Sequence, residues 1–191
     1  MDITGLIIAG GESSRFHEPK AFAKYKNKDF YLHSVEALNS VTDNIIIVTK
    51  EEYIERFDHQ LTVIVDDDSF RGMGPLAGLY SGMKQVESEW YTVLPVDTPC
   101  MTGEILKKLL PSPDSGIQAY IPVVKDRKQP MIASYHNSVK QTIYDLLSKD
   151  KRSMHGFLEQ IHAKYVPFGD HYVKCFSNIN TKEEFSKINL E

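Results

Sequence analysis

Two cysteines, Cys100 and Cys175, are too few for a disulfide framework or a four-ligand zinc site. A reducing compartment is the expected setting. No apolar run approaches the roughly 18 residues that a membrane-spanning helix requires. Met1-Asp2-Ile3-Thr4 lacks the basic and apolar regions of a secretory signal. The expected location is therefore cytoplasmic, with no membrane partner. Positive charge is not in excess either: 22 Lys+Arg face 26 Asp+Glu, for a formal net charge of -4. Bulk electrostatics gives no drive toward nucleic acid. The histidines show no metal-binding spacing; His155 and His162 suit one helix face, but two ligands alone make a poor site. No serine stands in a G-x-S-x-G elbow.

What is present is an ordinary globular balance, 41% hydrophobic and 25% charged over 191 residues, which fits one domain with a sizeable core. Ile3 to Ala9, Asn44 to Thr49, Leu61 to Val65 and Trp90 to Leu94 read as buried strands. Between them, Phe30 to Leu38, Glu51 to Phe57 and Leu76 to Val86 read as helices, and Thr102 is placed to cap another running to Leu110. Strands alternating with helices predict βαβ units and a parallel sheet covered on both faces. In the second half, strands are expected over Gln118 to Val124, Met131 to Tyr135 and Lys164 to Phe168. Helices are expected over Val139 to Leu147, Ser153 to Ile161 and Lys182 to Ile188.

Four short constellations carry chemistry. Ile7-Ile8-Ala9-Gly10-Gly11-Glu12-Ser13-Ser14-Arg15 ends a strand in small residues and is followed by Pro19-Lys20. Small residues let backbone N–H groups approach an anion closely, and Arg15 and Lys20 add cations suited to a triphosphate. The turn is neither a dinucleotide fingerprint nor a P-loop. Asp66-Asp67-Asp68 closes the third strand ahead of Gly72-Met73-Gly74-Pro75-Leu76-Ala77-Gly78. Pro75 suits a first helical turn. Gly78 and Gly82 inside that helix cost about 1 kcal/mol each relative to Ala, a cost that close approach of a ligand or another backbone would explain. Leu94-Pro95-Val96-Asp97-Thr98-Pro99 places a carboxylate at a strand's carboxyl end. Open α/β sheets bind ligands there, and Mg²⁺ bridges such a carboxylate to substrate phosphates. Phe176-Ser177-Asn178-Ile179-Asn180-Thr181 reads as a helix start capped by Thr181.

From about Ile3 to about Glu184 these strings resemble, in order and spacing, the MobA-like nucleotidyltransferases, and among them the molybdenum cofactor guanylyltransferases. The resemblance departs at His17, where the family usually has Gly, and at Pro19, where it often has Asp. It implies a single three-layer, Rossmann-like α/β domain of nucleotidyltransferase type. The nucleotide-binding half would span about 1–110 and the acceptor-binding half about 111–191. It implies that Ile8, Ala9, Gly10, Gly11, Gly74 and Gly78 contact GTP, and that Lys20 and Arg15 serve its phosphates. It also implies that one of Asp66 and Asp67 belongs to the nucleotide site; spacing does not choose between them. Asp97 would hold Mg²⁺. Lys151, Arg152, Asn178 and Asn180 would face the acceptor.

The reaction so implied is GTP plus the molybdopterin form of the cofactor, giving the guanine dinucleotide form and pyrophosphate. Lys20, Arg15 and Asp97 would carry the catalysis, and other molybdenum-cofactor biosynthesis proteins would be partners. Two other readings use the same residues. One is a transferase that takes CTP, or a sugar or alcohol phosphate acceptor. The other is a nucleotide-binding module without turnover.

Overall fold

The computed structural model describes residues 1–11, 19–112, 116–179 and 184. The expected closing helix over Lys182 to Ile188 lies outside them apart from Glu184. At the centre stands β1 (Ile3–Ile8), whose residues 4–7 are fully shielded. Its parallel neighbours are β4 (Ile45–Thr49) and β6 (Trp90–Pro95), with Ile7 opposite Ile47 on one side and Leu94 on the other. β5 (Thr62–Val65) extends the sheet parallel to β4. Beyond β6 come β9 (Ala133–His136), antiparallel to both neighbours, then β7 (Ala119–Val124) and, parallel to it, β10 (Ala163–Phe168). The order is β10-β7-β9-β6-β1-β4-β5.

Two hairpins decorate this sheet. β2 (Lys24–Tyr25) pairs with β3 (Lys28–Asp29), and β7 pairs with β8 (Arg127–Lys128). Each turns through two residues at positive φ, Lys26-Asn27 and Lys125-Asp126, the geometry that matches strand twist. The charged stretches 24–29 and 124–128 are thus small hairpins.

Successive strand residues face opposite sides, so the sheet buries two cores. Ile7, Ile45, Ile47 and Leu94 pack against α1 (Phe30–Leu38) and α3 (Gly103–Lys107). Leu6, Ile46, Val93 and Ile121 pack against α2 (Pro75–Gln85), α4 (Lys140–Leu147) and α5 (Met154–Leu158). The three-layer, mostly parallel α/β domain follows.

Three helices differ from expectation. Glu51–Arg56 is a 3₁₀ helix with no buried residue, so no apolar face holds a full α-turn there. α3 and α5 stop at Lys107 and Leu158, and the chain turns away directly afterwards. Thr102 sits at the N-cap of α3 but its side chain makes no capping bond. Ser153 does cap α5, its hydroxyl accepting from the Gly156 N–H at 3.2 Å. Packing of Ile105, Leu106, Phe157 and Leu158 holds these single turns, because helices so short do not persist on propensity.

Candidate active site

β1, β4, β5 and β6 are parallel, so their carboxyl ends share one edge. The chain leaves β1 toward β4 and β5 and then returns to β6 on the other side. Loops diverge at such a reversal and leave a crevice. Here it is a cleft of about 620 Å³. Its wall holds Ile8, Ala9, Gly10 and Gly11 after β1, Asp66 after β5, Gly74 and Gly78 at α2, and Asp97 after β6. Lys20 and Asn178 complete the set of expected residues that meet there. Arg15 and Asn180 lie outside the described residues.

The glycine turn is shaped for a close ligand. Among the described residues, a Cβ at Gly10 or Gly11 would meet nothing within 4 Å, so within them the space over this backbone is open. Ala9 N–H is already committed to the Val48 carbonyl at 2.8 Å, which anchors the turn to the sheet. Gly74 enters α2 at φ 85°, ψ -165°, a region that essentially only glycine occupies. Pro75 takes the first helical position, as the sequence predicts.

Lys20 and Asp97 form the charged centre. Lys20 Nζ donates to Asp97 Oδ2 at 3.2 Å, and the two side chains are only 14% and 17% exposed. The pair joins residues 77 apart in sequence. The aspartate is held by its backbone from both sides. Val96 N–H donates to the Ile8 carbonyl at 3.1 Å, and Ile179 N–H donates to the Asp97 carbonyl at 2.9 Å. The second bond is how the chain's late segment carries Asn178 back to the cleft. Asp97 Oδ1 is buried and has no hydrogen-bond partner among the described residues. An unsatisfied buried carboxylate oxygen is costly, and it is the hard oxygen donor that Mg²⁺ takes. No cluster of three or more acidic, His or Cys ligands occurs among the described residues.

Neighbouring aspartates do different work. Asp66 Oδ2 accepts from the Gly72 N–H at 3.3 Å, and burial pushes its carboxyl up from the usual range. Asp67 is not in the cleft wall. Its carboxylate takes the Lys84 ammonium of α2 at 2.5 Å and the Ser69 N–H at 3.1 Å, and the Lys84 hydrogen bond draws its pKa down. Lys151 and Arg152 are not among the described residues lining the cleft; Arg152 is held by Asp150 at 2.7 Å. Gly78 and Gly82 let α2 approach side chains of β1. A Cβ at Gly82 would lie 2.7 Å from both Leu6 methyls, and one at Gly78 would lie 3.2 Å from Ile8 Cδ1. Gly82 is thus a packing glycine, while Gly78 is both a packing glycine and a cleft residue.

Sequence reasoning passed over Val48, Lys50 and Met131, which also line the cleft. Lys50 carried a usable signal, a charge placed directly after a buried strand at the binding edge. Met131 carried none, since the segment entering β9 meets the cleft only through that strand's antiparallel place beside β6. Cys100 packs, half-buried, against the core that includes α1, where it acts as a small apolar filler.

Residues 5–164 match the model of the MobA-like NTP transferase domain. The chain is 40% identical over 185 residues to a Bacillus mycoides protein named "Probable molybdenum cofactor guanylyltransferase", covering 95% of this chain and 92% of that one. A crystal structure of molybdopterin-guanine dinucleotide biosynthesis protein A from Archaeoglobus fulgidus superposes with a TM-score of 0.82 at 21% identity, over 98% and 97% of the two chains. A CMP:2-keto-3-deoxy-manno-octonic acid synthetase complexed with CTP superposes with a TM-score of 0.74 at 16% identity, over 100% of this chain and 98% of that one. The fold thus also occurs in a protein solved with CTP, and fold alone does not choose the base. Full-length identity at this level, together with the family match, makes the chain a member of the MobA-like NTP transferase domain family.

Proposed function

We propose that this protein transfers GMP from GTP to the terminal phosphate of the molybdopterin form of the molybdenum cofactor, releasing pyrophosphate. The observation that carries this is the part-buried Lys20–Asp97 pair at the binding edge of the sheet, in a chain 40% identical over its length to relatives named for that reaction. A phosphate oxygen of the acceptor attacks the α-phosphorus of GTP, the bond to the β-phosphate oxygen breaks, and pyrophosphate carries away the electron pair. Both reactants are anions, so the task is to bring them together and to stabilise charge. The acceptor phosphate is ionised at neutral pH and needs no general base.

Lys20 donates to phosphate oxygens and gains strength from its low exposure. The open backbone at Gly10 and Gly11 lets the phosphates lie against the β1 turn. Asp97 would hold Mg²⁺ through its carboxylate, and the ion would neutralise phosphate charge and orient the α-phosphate. Asn178, which also lines the cleft, would meet the acceptor.

The test is pyrophosphate release from GTP, ATP, CTP and UTP with magnesium and molybdopterin. The expected result is release with GTP, dependent on the pterin. Asp97→Ala should lower that rate by on the order of 10²–10³, the cost of removing one charge-stabilising group from an active site, with the melting temperature retained. Near-normal turnover in Asp97→Ala removes the metal assignment. Preference for CTP moves the protein to a different transferase, and GTP binding without turnover makes it a binding module.

A further inference from the structure

Lys50 follows β4 directly and lines two recesses at once: the cleft and a second hollow of about 590 Å³ beside it. Both hollows are also lined by Gly10, Asp66 and Gly72, so they are continuous parts of one surface. The mechanism above has no use for Lys50, because Lys20 is the cation at Asp97. The other cation lining these hollows among the described residues, Arg71, is committed to Asp68 at 2.5 Å and to Glu51 at 3.6 Å. The Lys50 ammonium has no ion-pair or hydrogen-bond partner among the described residues.

Opposite in chemistry is Asp66, whose carboxylate lines the same two hollows and is partly desolvated. An ammonium only donates; an ionised carboxylate only accepts. Guanine is the nucleobase that matches such a pair. Its O6 and N7 are neighbouring acceptors, while N1–H and the 2-amino group are donors on the adjoining edge. Adenine has an amino donor in place of O6, and pyrimidines have no N7. A lysine against O6 and N7 is a common way for proteins to select guanine.

We infer that Lys50 is a specificity-determining residue that selects guanine by donating to the O6/N7 edge of the nucleotide. The inference rests on the guanylyltransferase reading and adds the group that chooses the base. Lys50 is exposed in the free protein, and a site that bonds a particular edge rejects the wrong base because the mismatch sets donor against donor once the nucleotide covers it.

The experiment compares wild type, Lys50→Met and Lys50→Arg, measuring kcat and KM with GTP and ITP and the inhibition constant of ATP. Methionine keeps the length of the stem and removes the charge. Lys50→Met should raise KM for GTP and for ITP, which retains O6 and N7, by about ten- to a hundredfold. It should leave kcat nearly unchanged and leave ATP inhibition where it was. Lys50→Arg should keep the preference for guanine. Weakening of GTP, ITP and ATP alike would mean that Lys50 serves phosphates or the fold, and would overturn the inference. So would an unchanged ratio of GTP to ATP. A wild type inactive with GTP would instead sink the guanylyltransferase reading itself.

Discussion

Asp66 and Asp67 are adjacent, identical in type, and separated in duty by where each points on leaving β5. Asp67 reaches Lys84 of α2 and ties the loop to the helix. Asp66 meets the cleft, and burial raises its pKa. A carboxyl raised in the folded state favours its neutral form there, so ionising it costs stability. That cost is absent below the carboxylate's unfolded value and grows as pH rises through the folded one. Asp66→Asn should therefore melt above wild type at pH 7 and level with it near the unfolded carboxylate value, about pH 4. It should also weaken GTP binding, the trade expected where a site is kept at the expense of stability. Thermal melts at the two pH values, with KM for GTP, check both halves; a variant no more stable than wild type at pH 7 refutes the account.

At the scale of elements, the union of α2 with β1 decides how closely helix and sheet meet. Gly82 costs helix stability but admits Leu6, which is fully buried in the central strand. Gly82→Ala gains about 1 kcal/mol in helix propensity and loses about 1–3 kcal/mol to overpacking, so net destabilisation is expected. In a Leu6→Ala background the clash is gone, and the same change should become neutral or stabilising. Urea unfolding of the four-member cycle measures that coupling; simple additivity would refute it. The strands and the long helices were legible because alternation and 3.6-residue spacing are local patterns. The 3₁₀ segment Glu51–Arg56 was not, because its helix type depends on having nothing to pack against.

Across the whole molecule, the site is a meeting of loops from four parallel strand ends with a late segment pinned by the Ile179–Asp97 backbone bond. Apolar packing and the Lys20–Asp97 pair hold the described residues of this edge together. Chelation with EDTA should stop nucleotidyl transfer while leaving the melting temperature of the nucleotide-free protein unchanged. A fall of several degrees on chelation would reveal a structural metal instead. No helix among the described residues is long and apolar enough to cross a membrane.

The strand–helix alternation, the glycine turn, Lys20 and the aspartate just after β6 could all be read from sequence, because each is a short pattern with its own physical meaning. Tertiary structure alone decided which of Asp66 and Asp67 faces the cleft, that Asn178 returns to it, that Lys151 and Arg152 stand outside its wall, and that Lys50 enters it. Those outcomes depend on where a side chain points once the sheet is ordered and on contacts across dozens of residues. Local spacing carries no record of either.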